Sequence, residues 1–151
     1  MKQGRRSILK SASALGILAA LGLISESAAL AAENQAGFDA KNFGEAMKAL
    51  GGPGTDSKDI NLNAPEIAEN GAVVPLSVVS AIPNTEAIYI FVEKNPNPLS
   101  AAFTIPAGTE PSIVTRVKMG ESSRIYALVK ADGKFYSTSR ETKVTLGGCG
   151  G

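Results

Sequence analysis

The side chain best suited to covalent chemistry in this chain is the thiol of Cys149, the single cysteine of the sequence. It stands in the string Gly147-Gly148-Cys149-Gly150-Gly151, where every neighbour is glycine. Glycine has no Cβ atom, so it adopts backbone conformations that other residues avoid and is costly to order. We therefore predict that Gly147, Gly148, Gly150 and Gly151 form a flexible arm that presents the Cys149 thiol to other proteins.

Three interpretations of Cys149 follow from its setting. Free cysteines are usually buried like small apolar residues, but surroundings made of glycine near a chain end disfavour this. An unpaired cysteine in an exported protein also favours an intermolecular disulfide, here a dimer linked through Cys149. The third interpretation is a site of covalent attachment for a carried group. The residues alone leave the last two interpretations open.

The sequence offers this thiol little activation. The thiolate is the reactive form, and a free cysteine with a pKa of about 8.5 is mostly protonated at neutral pH. The nearest cationic side chain is Lys143, six residues away. The chain has no histidine, which excludes a Cys-His pair, a Ser-His-Asp triad and a histidine-ligated metal. We therefore expect a non-catalytic subunit with no metal and no cofactor, whose partners activate the thiol.

Residues 1–31 are predicted to be an export signal. Basic residues that include Arg5 and Arg6 precede an apolar stretch at 12–24, and Ala29-Leu30-Ala31 offers a cleavage site. The stretch is shorter than the ~20 residues of a membrane-spanning helix. The string Arg5-Arg6-Ser7-Ile8-Leu9-Lys10 resembles a twin-arginine (Tat) signal, and a general secretory peptide is the alternative. We expect Tat export to the periplasm and no membrane anchor.

The charge that remains after cleavage argues against a nucleic-acid partner. Four of the fifteen Lys and Arg and one of the fourteen Asp and Glu lie in residues 1–31, so the rest has 11 basic and 13 acidic residues. The resulting net charge of −2 lacks the basic surface that nucleic-acid binding requires.

The remaining sequence predicts one mostly β domain over residues 32–146, followed by the arm at 147–151. An amphipathic helix is expected over Phe38–Leu50, capped by Asp39, with Phe43, Ala46, Met47 and Leu50 on its apolar face. From residue 60 onward about seven short apolar runs alternate with turn residues, and Asp132-Gly133 is a strong hairpin signal. This spacing favours an all-β, immunoglobulin-like β-sandwich.

Five strings of the sequence also resemble one known family. They are Ala64–Pro75, Val92–Leu99, Thr115–Met119, Ala131–Tyr136 and the ending Val144–Gly151. Each is similar to the SoxY family, the sulfur-carrier subunits of the periplasmic thiosulfate-oxidising (Sox) system. The resemblance covers nearly all of the chain after residue 31, implies the same immunoglobulin-like fold, and favours the carrier interpretation of Cys149.

The resemblance implies specific partners. A SoxY chain forms a heterodimer with SoxZ, and the c-type haem complex SoxAX joins thiosulfate oxidatively to the cysteine. The di-manganese hydrolase SoxB then releases sulfate, and SoxCD, in hosts that have it, oxidises the remaining sulfur. The competing hypothesis is a periplasmic binding module whose cysteine only forms a crosslink. The charged residues Glu93, Lys94, Arg116 and Lys118 are assigned no chemistry and are predicted to be solvated or to contact the partner subunit.

Overall fold

The structure is a computed structural model that describes residues 26–145, with side chains described from residue 28 onward. The predicted signal residues Arg5 and Arg6, and the predicted arm at 147–151 with Cys149, lie outside the described residues. The chain divides into two units between Ala32 and Glu33, and every described strand belongs to the second unit.

Within residues 26–145, two helices precede the strands. Helix α1 spans Glu26–Asp39 and helix α2 spans Phe43–Ala49. The strands that follow are β1 (Thr55–Asp56), β2 (Ile60–Asn63), β3 (Ile67–Ala68), β4 (Val74–Ser80), β5 (Thr85–Val92), β6 (Leu99–Thr104), β7 (Ser112–Val117), β8 (Ser123–Ala131) and β9 (Lys134–Val144).

The strands form two sheets. The larger sheet has the order β1-β9-β8-β5-β6, with β3 also pairing with β9, and the smaller sheet has the order β2-β4-β7. Neighbouring strands are antiparallel except that the two-residue strands β1 and β3 run parallel to β9. The predicted all-β sandwich with a short N-terminal helix is confirmed.

Strand β5 at the centre of the larger sheet is buried on both faces, and the domain has a hydrophobic cluster on each side of it. In β5 all six residues from Ala87 to Val92 are buried, so the strand lacks the alternation of a half-exposed strand. Ile88, Ile90 and Val92 pack in the cluster between the sheets. Ala87, Tyr89 and Phe91 pack on the other face, in a cluster that includes Ala46, Met47 and Leu50 from the region of α2.

The predicted helix over Phe38–Leu50 is wrong in its boundaries. Asp39 ends α1, and a separate helix begins at Phe43. Asn42 rather than Asp39 caps α2, because its side-chain oxygen accepts a hydrogen bond from the Glu45 amide at 2.9 Å. The apolar face was predicted correctly, since Ala46, Met47 and Leu50 are buried.

The hairpin prediction at Asp132-Gly133 is confirmed. The two residues connect β8 to β9 with positive φ angles of 50° and 71°. Asp tolerates the left-handed region better than most residues, and Gly adopts it without a steric cost. The sequence did not reveal β1 and β3, because two residues are too short to show a period.

Candidate functional site

Cys149 is attached to the sandwich at the end of β9. Thr145 is the last described residue, and the cysteine follows four residues later. At about 3.3–3.6 Å per residue, the Cα of Cys149 lies no more than about 14 Å from that of Thr145. We call Thr142–Thr145 the arm root, because the structure there fixes the origin of any movement by the cysteine.

Strand β3 holds one edge of the arm root. Ile67 and Ala68 pair in parallel with Lys143 and Val144. The Lys143 amide donates to the Glu66 carbonyl at 2.9 Å, and the Thr145 amide donates to the Ala68 carbonyl at 3.1 Å. The short strand therefore extends backbone pairing to the last described residue.

Ser122 holds the arm root from the side of β8. The Val144 amide donates to the Ser122 Oγ at 2.8 Å, with the serine half-buried just before β8 begins. A hydrogen bond to a hydroxyl thus takes over where the β8–β9 ladder has ended at the Ser123–Thr142 pair. The arm root is bonded on both edges as a result.

A fully buried polar side chain also braces the root. Thr142 is 0 % exposed, and its hydroxyl donates to the Pro65 carbonyl at 2.8 Å. A buried hydroxyl without a partner would cost free energy, so this bond makes the position tolerable. It also ties the segment before β3 to β9 across 77 positions of sequence.

The loop at 71 closes against the root with no space for a larger residue. The Met119 amide donates to the Gly71 carbonyl at 2.6 Å. A Cβ atom at Gly71 would lie 2.5 Å from the Met119 carbonyl oxygen and 2.9 Å from the Val144 Cγ1. Glycine at this position therefore permits the close approach of the loop to β9.

Asn95 orders the neighbouring loop at the same end of the sandwich. Its side-chain nitrogen donates to the Lys118 carbonyl at 2.6 Å, and its oxygen accepts from the Gly120 amide at 3.1 Å. The adjacent Lys94 makes an exposed ion pair with Glu121 at 3.5 Å. Such a pair contributes little to stability because both side chains remain solvated.

The four charged residues that the sequence left without chemistry lie at the surface. Lys94, Arg116 and Lys118 are exposed, and Glu93 is half-buried. Among residues 26–145 no three acidic or other metal-binding side chains come together as a metal site. None of the described helices has the length and apolar character needed to cross a membrane.

A cleft of about 380 Å³ lies at the other end of the sandwich. It is lined by Asn84, Thr85, Glu86, Thr109, Pro111 and Ile105–Gly108. Strand β8 connects the two ends, since Ser123 pairs with Thr142 and Ala131 pairs with Thr85. Eight residues at about 3.3 Å each separate the ends by roughly 26 Å. That separation exceeds the arm length, so we do not assign the cleft to Cys149.

The sequence analysis singled out Cys149 but not the side chains that hold the end of β9 at the arm root. These side chains contact residues that are distant in sequence. Ser122 bonds a residue 22 positions away, Thr142 bonds one 77 positions away, and Gly71 lies in a loop that closes against β9. No short-range pattern in one sequence reveals such pairs.

The chain is similar to known proteins over most of its length. The family described as sulfur oxidation protein SoxY matches residues 46–149. The sulfur carrier protein SoxY from Chlorobium limicola f thiosulfatophilum is 38% identical, with a TM-score of 0.61 over 68% of this chain and 94% of that chain. No match was found among curated protein sequences.

A superoxide reductase (neelaredoxin) from Ignicoccus hospitalis shares the fold alone. It is 17% identical, with a TM-score of 0.50 over 57% of this chain and 79% of that chain. The family match, in contrast, covers more than half of the sequence and ends at the cysteine. This chain therefore belongs to the SoxY family and has a sulfur-carrier role in sulfur oxidation.

Proposed function

We propose that the Cys149 thiol holds thiosulfate-derived sulfur covalently and that the arm at 147–151 presents it to partner enzymes. The observation that carries this proposal is the braced arm root, which ends only four residues before the cysteine. Because the arm root is held by hydrogen bonds and the arm is short, the thiol stays within a limited distance of Thr145. The SoxY membership supports sulfur as the carried element.

The proposed chemistry balances in three kinds of step. The cysteine thiolate and thiosulfate lose two electrons to a haem partner and form a sulfur–sulfur bond, giving a cysteine S-thiosulfonate. Hydrolysis with one water then releases sulfate and two protons and leaves a cysteine persulfide. A six-electron oxidation of the terminal sulfur with three waters gives a new sulfonate, which a second hydrolysis removes as sulfate. In this scheme the carrier supplies a nucleophile, and the partners supply electron acceptors and hydrolytic groups.

The proposal assigns SoxZ as the heterodimer partner and SoxAX, SoxB and, in hosts that have it, SoxCD as the enzymes. SoxY proteins of the Sox system are generally periplasmic. We propose that this chain reaches the periplasm through a Tat signal that includes Arg5 and Arg6. A Tat signal suits the assembly, because a folded SoxY chain can carry with it a SoxZ subunit that lacks a signal.

The deciding experiment is mass spectrometry of the Cys149 peptide after the SoxYZ heterodimer is incubated with thiosulfate and SoxAX. We expect a thiosulfonate adduct that SoxB converts to a persulfide, and we expect Cys149→Ser to carry neither and to abolish turnover. A serine hydroxyl is a weaker nucleophile and cannot form a sulfur–sulfur bond. Turnover by the serine variant, or a disulfide dimer that never acquires an adduct, would contradict the proposal.

A further inference from the structure

We propose that the free edge of strand β7 pairs with the same edge of a second copy of this chain, about a two-fold axis at Val114. The pairing joins the two smaller sheets into one sheet of six strands. This inference does not depend on the chemistry at Cys149 and concerns the folded body alone. We call the side of Ser112–Val117 that faces away from β4 the β7 edge.

The backbone of β7 has free hydrogen-bonding groups on this edge. In the order β2-β4-β7 the strand has a neighbour on one side only. The Ser80 amide donates to the Pro111 carbonyl, and an antiparallel ladder that alternates from this bond directs the odd-numbered residues of β7 to β4. The N–H and C=O groups of Val114 and Arg116 therefore point to the β7 edge, where no described residue bonds them.

Two exposed apolar side chains lie together beside this edge. Val114 is 83 % exposed and Val79 is 41 % exposed. Val114 pairs with Ser77 and Ser112 pairs with Val79, so the two valines are diagonal neighbours on one face of the smaller sheet. This is the outer face, because Val78 points the other way and is buried between the sheets.

The other described edges are shorter or less accessible than the β7 edge. The larger sheet ends in the two-residue strands β1 and β3 on one side and in β6 on the other. Residues Leu99–Phe103 of β6 are buried or half-buried, and β2 has only four residues. Natural sheets protect free edges with charges, proline, bulges or short strands. Strand β7 has six residues with no proline, no bulge and the single charge of Arg116, so this protection is weak.

The sequence of β7 is complementary to itself in an antiparallel pair, which identifies the occupant as a second copy. With the axis at Val114, this valine lies opposite its own copy, and Ser112 lies opposite Arg116 of the second copy. The one charged side chain of the strand therefore faces a hydroxyl, whereas an axis at Arg116 would oppose two arginines.

The free backbone groups are satisfied in this register. Each Val114 N–H donates to the Val114 carbonyl of the other copy, and each Arg116 N–H donates to the Ser112 carbonyl across the axis. The Ser112 N–H is not needed, because it already donates to the Glu110 carbonyl at 2.8 Å. The second copy also covers Val114 on the side that Val79 leaves open.

The size of the contact makes the pairing weak and reversible. One strand edge covers much less than the roughly 1,600 Å² of a standard interface. We therefore expect a dimer that forms at high protein concentration and leaves the other surfaces of the domain available to SoxZ.

The experiment is sedimentation equilibrium of the exported chain, alone and as the SoxYZ heterodimer, from about 10 µM to about 1 mM. Cys149 is kept reduced, so that no disulfide contributes. We expect Val114→Lys to weaken self-association about tenfold or more, because it opposes two like charges across the axis. Val114→Glu should weaken it similarly, and an equimolar mixture of the two variants should restore it, since opposite charges then face each other.

The matched control is Val79→Lys, which adds the same charge to the same face one strand away from the edge. It should leave self-association within about twofold of wild type. A second measurement needs no variant. Hydrogen exchange of the Val114 and Arg116 amides should slow as the wild-type concentration rises, because pairing protects them.

Four results would overturn the proposal. They are a wild type that stays unassociated over the whole range, an equal loss for Val79→Lys, a mixture of the two Val114 variants that does not recover, and loss of SoxZ binding by Val114→Lys. The last result would assign the β7 edge to the partner subunit. None of them bears on whether Cys149 carries sulfur, which mass spectrometry of its peptide tests separately.

Discussion

The two ends of strand β9 are held in different ways at the two ends of the sandwich. At its start, β9 follows β8 through a two-residue turn at Asp132-Gly133, and the Asn84 side chain donates to the Asp132 carboxylate at 3.1 Å. At its finish, β9 is bonded along both edges, by β3 and by Ser122, up to Thr145. The first end reverses the chain, whereas the second end is the last described part of the chain before Cys149.

Under the proposed carrier function, the difference between the two ends indicates where the carrier needs rigidity. A thiol on a short tether samples a volume centred on the point of attachment, so a frayed strand end would enlarge that volume and dilute the cysteine at an enzyme entrance. The turn end has no such requirement, and there a local turn is sufficient. Under the proposed carrier function, the hydrogen bonds at the arm root therefore serve to position the thiol as well as to stabilise the fold.

The largest expected effect concerns the arm itself. Replacing Gly147 and Gly148 with valine stiffens the backbone and widens the segment that must enter each enzyme. We expect kcat/KM with SoxAX and SoxB to fall together by about tenfold or more, a cost of at least about 1.4 kcal/mol in each transition state. Steady-state kinetics with loaded carrier provides the measurement.

The control for the arm variant lies at the turn end. Ala107→Val adds the same side chain to the exposed loop that lines the cleft, and it should leave both rates within about twofold. Rates that are unaffected by the two arm valines would show that the glycines are incidental. A fall caused by Ala107→Val would show that the cleft takes part in turnover and that the two ends are not functionally distinct.

A smaller effect, on the free energy of unfolding, is expected when one threonine hydroxyl is removed at each end. Thr142→Val at the arm root removes the hydroxyl that bonds Pro65 and leaves a carbonyl without that partner beside a fully buried side chain. We expect a loss of about 1–3 kcal/mol in the free energy of unfolding. Thr85→Val at the other end removes bonds to the Ile82 carbonyl and to the Ser80 hydroxyl, each at 2.8 Å. The threonine is only half-buried and Ser80 keeps its bond from the Ile82 amide, so the change should cost about 0.5–1.5 kcal/mol.

Urea unfolding ranks the losses of the two threonine variants. Each variant is measured as a purified heterodimer, together with the slope of its unfolding free energy against urea concentration. Equal losses, or a larger loss for Thr85→Val, would show that the arm root is no more strongly braced than the turn end. The maleimide reactivity of Cys149 should remain near wild type in both variants, because neither change alters a charge near the thiol.

Sequence patterns predicted the parts of this fold that depend on local order. The longer strands, the hairpin at Asp132-Gly133 and the buried face of α2 all follow from periodicity and turn chemistry. The start of α2 was misplaced, because Asp39 and Asn42 are both good capping residues, and the structure has Asn42 at the cap. The bracing of the arm root depends on contacts between distant positions such as Thr142 and Pro65, which a single sequence does not display.

The smallest expected effect concerns Tyr89, midway along β5 and outside both ends. Burial, followed by the nearby carboxylates of Glu33 and Glu86, raises the pKa of Tyr89 above the ordinary tyrosine value. The folded state therefore retains the phenolic proton to higher pH than the unfolded state does, whose tyrosine ionises near pH 10. The stability from this group is fully present below about pH 10 and is lost as the pH rises through the folded value.

Tyr89→Phe removes this one titration and leaves every other alkaline transition in place. We expect the difference in unfolding free energy between wild type and variant to be constant from about pH 7 to 9. Above about pH 10 wild type should lose stability relative to the variant. Chemical unfolding of both proteins across this range measures it, and kcat/KM with the partner enzymes should not change, because Tyr89 faces the helix-covered cluster rather than the arm root. A difference that stays constant through pH 11 would show that Tyr89 ionises equally in both states. A change in partner rates would show instead that the arm root senses the packing on the far face of the sheet, so that the two ends are coupled through the core.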